Sequence, residues 1–340
     1  LSANYSSRIG QTAATFGATF DDVAARDIAA QGPAFSWLEV LTAPISGAVR
    51  SGIDSVGRFA PINASLQIGA GAVQPNAQTK PIPFEGARSY FSYDPARQLL
   101  RFDEMTLDSK WVSGQMTGTA QLGAVTGGIP GKLTGQFTLR DLKANPDDLY
   151  PEPVALDQAD IDFQLSLDPF RLKLGRLEIR DGPRALRFGG ELSAEPQGWK
   201  LALDGRLNAL KPDRLLALWP EGVKPKTRKW LSENLHAGQM QNLDVALRAA
   251  PGQGPQTYVA FDYNGAEVRF LKTLPHITGG RGHFSLLDNR LVVTVDDGEV
   301  IAPQGGAVNL KGTSFIIPDV RVKDGSPAVV RLNTRSTLTA

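Results

Sequence analysis

Apolar and polar residues alternate almost without a break from Ile161 to Leu207, and the alternation falls into four segments. The first sets Ile161, Phe163, Leu165 and Leu167 against Asp162, Gln164, Ser166 and Asp168. Beyond Pro169 the second carries Leu172 and Leu174, then Leu177 and Ile179 past Gly175. After Asp181-Gly182-Pro183 the third opposes Leu186, Phe188, Leu192 and Ala194 to Arg187, Glu191, Ser193 and Glu195. The fourth, past Gln197-Gly198, opposes Trp199, Leu201, Leu203 and Leu207 to Lys200, Asp204 and Arg206. Side chains on a β-strand point to opposite faces with period two, so this spacing predicts an antiparallel meander with one apolar and one charged face.

Similar grammar runs on both sides of that stretch. Residues 1–30, rich in Ala, Thr and Ser, read as short strands, and Phe35, Leu38 and Leu41 at helical spacing predict a short helix over 34–42, ended by Pro44. From 46 to 68 strands are expected with breaks at Gly52 and Gly57, followed by a Pro-rich loop and edge segment over 69–86. Arg88 to Tyr93 turns at Asp94-Pro95 into Leu99 to Leu107. Val112, Gly114, Met116, Gly118, Ala120 and Leu122 then share one face of a long strand. Glycine on an inward face lets a strand bend or a neighbour approach closely, so the sheet is expected to curve there. A turn at Gly127-Gly128-Ile129-Pro130-Gly131 leads to Leu133, Gly135, Phe137 and Leu139. Asp147-Asp148, in the loop that follows, reads as turn chemistry rather than a catalytic carboxylate pair.

The alternation stops after Leu207. Leu210 to Pro220 and Lys224 to Gly238 read as a helical pair over 211–238. Pro212 and Pro225 stand near the helix starts, Pro220 stops the first, and Gly238 caps the second. Leu215, Leu218, Trp219, Trp230, Leu231 and Leu235 are expected on its buried side. Its charged side sets Lys211, Arg214, Lys224, Lys226, Arg228 and Lys229 against Asp213, Glu221 and Glu233, a net of +3. A solvated face is the plain reading of those charges, and Lys226, Arg228 and Lys229 are the candidates for a lipid headgroup contact. Strands resume over 239–340, with Leu243, Val245 and Leu247, then Tyr258 to Tyr263. Phe284 and Leu286 turn at Asp288-Asn289 into Leu291 and Val293, and Asp296-Asp297-Gly298 is expected to make the next turn.

Composition narrows the function classes. Basic and acidic residues balance at 36 against 35, so nothing global calls for nucleic acid. The chain has no cysteine, which removes thiol nucleophiles and Cys-ligated zinc, and His236, His276 and His283 match no metal-ligand spacing. No G-x-S-x-G elbow, P-loop or H-E-x-x-H is present; no catalytic residue and no cofactor is expected. No run reaches the ~18 apolar residues that span a bilayer. The chain starts at Leu1 and ends in an alternating stretch, Val329 to Leu338, and is expected to be an interior segment of a longer protein.

About a dozen strands in sequence from residue 87 onward should close, split or curl. A β-sandwich would bury its inward faces against each other; a curled sheet would leave its apolar face to a guest, for which acyl chains fit. The inward glycines and the aliphatic lining favour the groove. Its lining candidates are the apolar positions named from Phe163 to Leu203 other than Ala194, together with Val245, Leu247, Phe284, Leu286, Leu291 and Val293.

Leu218-Trp219-Pro220, then Thr227-Arg228-Lys229-Trp230-Leu231 and Leu235-His236-Ala237-Gly238, with strands resuming at Asn242, resembles the YhdP branch of the AsmA-like proteins. Pro44-Ile45-Ser46-Gly47, Gly69-Ala70-Gly71 and Tyr93-Asp94-Pro95 look like the repeated strand units of that family. The resemblance implies a very long periplasmic protein, anchored in the inner membrane of a Gram-negative bacterium. Its hydrophobic β-trough would carry phospholipids toward the outer membrane and support outer-membrane integrity. The family's N-terminal anchor is absent from this chain, which leaves lipid binding as the property it can express. A structural role, in which the sheet is a rigid spacer or a docking surface for envelope proteins, is the alternative; an enzyme acting on lipid or glycan is a third reading.

Overall fold

The computed structural model describes all residues except 127–128, 146–147, 183, 271–272, 304, 323–326 and 337–340. The Gly127-Gly128 turn, Asp147 of the carboxylate pair, Pro183 and Leu338 therefore lie outside the described residues. The protein is mostly β, built on one open antiparallel sheet of 20 strands among the described residues, with a few short helices.

Strands β1 (Ser2–Ser7), β2 (Ala14–Ala24), β3 (Pro44–Ile53), β4 (Ile62–Ile68) and β5 (Gly86–Asp94) open the sheet. They are followed by β6 (Leu99–Asp108), β7 (Val112–Leu122), β8 (Leu133–Ala144), β9 (Val154–Ser166) and β10 (Arg171–Asp181). From β1 to β10 every strand pairs antiparallel with its neighbour in sequence. The turns follow from local chemistry: Asp94 Oδ1 accepts the N–H groups of Ala96 and Arg97 at 2.9 and 3.2 Å, which folds the chain back into β6. Gly175 marks a bulge between Asp162 and Phe163 on the partner strand, and this resets the alternation so that Leu174 and Leu177 keep to one face.

Between β2 and β3 the chain forms α1 (Ala25–Ala29) and a 3-10 helix, Pro33–Val40, where the sequence spacing predicted a helix over 34–42. Gly52 does not break its strand, since β3 continues through it to Ile53. Strands β11 (Arg184–Glu195) and β12 (Gly198–Leu210) lead to α2 (Pro212–Leu218) and α3 (Pro225–Asn234). After these come β13 (Leu235–Ala249), β14 (Gln256–Val268), β15 (Ile277–Leu287) and β16 (Arg290–Ile301). The short strands β17 (Ala307–Asn309), β18 (Ser314–Ile317), β19 (Val329–Arg331) and β20 (Arg335–Ser336) finish the sheet. Asp288 and Asn289, both left-handed at φ 49° and 65°, make the two-residue hairpin turn between β15 and β16.

Two further expectations are corrected. The second helix stops at Asn234, and Gly238 is a strand residue of β13, with φ 131°, beside a register shift; a Cβ there would stand 3.0 Å from Ala266 Cα. Close strand approach, not helix capping, explains that glycine. Likewise Asp296-Asp297-Gly298 is no turn. It lies inside β16 opposite the irregular part of β15, with Gly298 against Gly280, so an Asp-Gly pair here makes a bulge.

The chain divides into two compact units. The first comprises residues 1–182, 188–201 and 250–252, and the second comprises 183–187, 202–249 and 253–340.

Candidate functional site

In the first unit the strand registers place apolar residues in rows that cross the sheet. One row runs Ile62, Tyr93, Leu100, Ala120, Gly135, Phe163, Leu174, and the next runs Ala64, Phe91, Phe102, Gly118, Phe137, Ile161, Leu177. The inward glycines have a definite task here. Phe102 and Phe137 stand on strands separated by β7, roughly two 4.8 Å strand spacings apart, yet their ring centroids are 5.3 Å apart. They meet over Gly118, where a Cβ would fall 2.8 Å from the Phe137 ring. Phe163 lies over Gly135 in the same way, 2.5 Å from where a Cβ would be, and stacks on Phe137 at 5.6 Å. Glycine thus yields its volume to a neighbouring ring.

Much of this face is covered by the chain itself. Ile28 of α1 and Phe35, Leu38 and Val40 of the 3-10 helix are buried in one cluster with Ile45, Leu66, Phe91, Leu100 and Phe102. Phe35 meets Phe91 edge-on at 5.9 Å, and Trp37 meets Phe102 at 5.7 Å. The seat is imperfect in its polar groups. Among the described residues Trp37 Nε1 and Ser89 Oγ are buried without a hydrogen-bond partner, and such an orphan costs about 1–3 kcal/mol. Of the candidates, Leu165, Leu167, Leu172 and Trp199 belong to this covered cluster; Trp199 also donates its indole N–H to the Lys80 carbonyl at 2.7 Å. Phe163, Leu174, Leu177, Ile179, Phe188, Leu192 and Leu201 are half-buried around it.

The second unit builds the same kind of rows and leaves them more open. Val245, Val259, Leu286, Leu291 and Ile317 stand in register across five strands. Beside them run Phe261, Phe284, Val293, Phe315 and Val330, with Phe261 and Phe284 stacked at 4.7 Å. Apart from the exposed Val330 these residues are half-buried, as are the candidates Leu203 and Leu247. Burial is concentrated in a small cluster of Leu207, Leu210, Met240 and Leu243, against which Leu186, Leu215 and Val245 pack. Helix α2 therefore covers one part of this face through Leu215. Tyr263 repeats the glycine device: it stands beside Gly282 and reaches past it, its hydroxyl donating to the Thr294 carbonyl at 2.7 Å.

The rest of the helical pair departs from expectation. No α2 residue is fully buried, Trp230 of α3 is 40 % exposed, and Asn234 is the buried residue of α3. Arg228 is committed to structure, since its guanidinium donates to the carbonyls of Trp219 and Leu216 at 3.1 and 3.2 Å and so satisfies the end of α2. Lys229 pairs with Glu233 at 3.7 Å, and Lys226 is exposed.

The opposite face is charged and cross-linked. Arg176 pairs with Asp162 at 2.8 Å, Arg206 with Asp244 at 2.7 Å and Arg248 with Asp204 at 2.6 Å. Such exposed pairs contribute little to stability, but they penalise a one-residue slip, which would bring charge to the apolar side. The Thr138 hydroxyl, above all, holds the Asp160 carboxyl below its usual range, helped by Gln158 and Arg180. A shallow concavity of about 510 Å³ is lined by Thr119, Gln121, Thr134, Gln136, Gln164 and Lys173 together with Gly135 and Phe163 of the first apolar row. His236 and His276 stack at 4.9 Å, with Glu267 3.3 Å from His276 Nδ1. Among the described residues no three His, Asp or Glu side chains are grouped to hold a metal.

Several row members were not among the lining candidates read from sequence: Phe91, Phe102 and Phe137 in the first unit, the last named only as part of its strand, and Val259, Phe261, Phe315 and Ile317 in the second. Their signal was present, since each alternates within its strand, but register was needed to align them. Comparison with family models, curated proteins and solved structures finds no match to the chain.

Proposed function

We propose that the apolar face of the sheet binds the acyl chains of phospholipids, as a segment of a protein that moves lipid between the inner and outer membranes across the periplasm. The carrying observation is the pair of in-register apolar rows in the second unit, of which Val245, Val259 and Phe261 pack against the buried cluster while Phe284, Leu286, Leu291, Val293, Phe315 and Ile317 are only half-buried. Such a surface is far more apolar than a water-facing sheet face, and each methylene laid on it gains ~0.8 kcal/mol. The resemblance of the Trp219-Pro220 and Thr227 to Leu231 stretches to the YhdP branch supports the same reading.

The test is lipid extraction and native mass spectrometry of the purified chain, with photoreactive residues at Leu203 and Phe188. Co-purified phospholipid and acyl crosslinks are expected. Leu286→Asp should lose the lipid while circular dichroism keeps its β signal. An empty protein with no crosslink rejects the proposal. For the first unit the self-covered face favours a second reading, a rigid spacer, which predicts that Leu203 crosslinks lipid and Phe188 does not.

A further inference from the structure

The end of the second unit that carries α3 exposes apolar and basic side chains together, and we infer that it docks on an anionic membrane surface. Leu235, directly after α3, pairs with Val268 at the end of β14, and Val268 pairs with Ile277 at the start of β15. The C-terminal end of α3 and residues 269–270 and 273–276 are thereby brought to the same end, and Lys226 stands one helical turn before Trp230 on α3. They are also tied: the Arg269 N–H donates to the Asn234 carbonyl at 2.9 Å, and its Nε to Asn234 Oδ1 at 3.2 Å. Asn234 in turn donates through Nδ2 to the Trp230 carbonyl at 2.8 Å.

Trp230, Val223, Phe270 and Leu274 are exposed on this framework, Leu274 by 54 %. Singly exposed apolar residues are ordinary. Here they accompany the exposed Lys224 and Lys226, in a segment of net +3 within a chain of net +1. That local charge selects the occupant. An apolar protein partner has no use for the lysines, whereas an anionic lipid surface takes both, with Trp and aliphatic side chains at the headgroup boundary and lysines over the phosphates. Phe270 meets the row member Phe315 edge-on at 5.3 Å, so this end adjoins the acyl-binding face; Lys224, Lys226, Trp230 and Leu274 lie outside the rows, and substitutions there act on the docking end alone.

The experiment is co-sedimentation of the 340-residue chain with phosphatidylcholine vesicles, with and without phosphatidylglycerol. Binding to the phosphatidylglycerol vesicles is expected, weakened by salt. Lys224→Gln and Lys226→Gln should each lower it about fivefold, and Trp230→Ser with Leu274→Ser should lower it further. Equal binding to both vesicles, unchanged binding by the double lysine variant, or no binding at all overturns the inference. Leu286→Asp separates the two sites. It should keep vesicle binding while losing groove lipid, and vesicle binding lost there but retained by the lysine variants would assign the membrane contact to the apolar face instead.

Discussion

The two units align the same kind of apolar rows and then treat them oppositely. In the first, a 3-10 helix and a one-turn α-helix from the chain itself lie on the face and complete an aromatic cluster from Phe35 to Phe102. In the second, α2 contributes Leu215 near Met240 and Leu243, and the rows through Phe284 and Leu286 continue half-exposed. Period-two alternation specifies a face but not its occupant. The occupant comes from short connections whose own sequence carries no strand pattern.

The largest effect expected from this contrast is in stability. Leu38 is fully buried in the cover, so Leu38→Ala should cost about 2–5 kcal/mol, whereas Leu291→Ala on the open face should cost about 1 kcal/mol. Both are read from denaturant unfolding midpoints, and equal losses would erase the distinction between covered and open faces. Next in size is the ring over Gly135. Gly135→Ala should cost about 1–3 kcal/mol by overpacking, and Phe163→Leu should rescue part of that cost. A double-mutant cycle showing strict additivity would mean that the ring does not depend on the glycine.

The smallest effect sharpens the second unit. Burial, and then the Asp296 charge, push the Tyr263 phenol from its usual 10 up to about 12. Its folded-state value lies above the unfolded one, so its contribution is complete below pH 10 and lost as pH rises through 12. Stability should decline across that window, and Tyr263→Phe should flatten the decline while costing about 0.5–1.5 kcal/mol near neutrality through the lost bond to Thr294. An unchanged alkaline profile in the variant would place Tyr263 in water rather than against Gly282.

The meander was legible because alternation, Asp-Pro and Asp-Asn turns and the reset at Gly175 are all local signals. The boundary of α3 was not, because a glycine after a helix-like run looks the same whether it caps the helix or admits Ala266 from the next strand. Asp296-Asp297-Gly298 misleads for a similar reason: turn chemistry and bulge chemistry both need a residue free to leave the strand region, and Gly280 opposite decides between them. At the candidate site, alternation identified Leu174, Leu286 and Val293 as face residues. It could not reveal that Leu165 and Leu172 would pack against the buried cluster that includes Phe35 and Leu38, since that cluster draws on a segment more than a hundred residues away.

The pairing of each strand from β1 to β10 with its neighbour in sequence bears on how the molecule assembles. Every new strand finds its partner in the strand just placed, with longer closures only where residues 25–43 and 69–85 intervene, so the sheet can grow in the order in which the chain emerges. No intermediate along that route needs to hold an edge open for a distant partner. The Trp199 bond to Lys80 spans 119 residues and cannot form until the intervening strands are in place. A fluorescence change at that indole would mark the completion of the first unit.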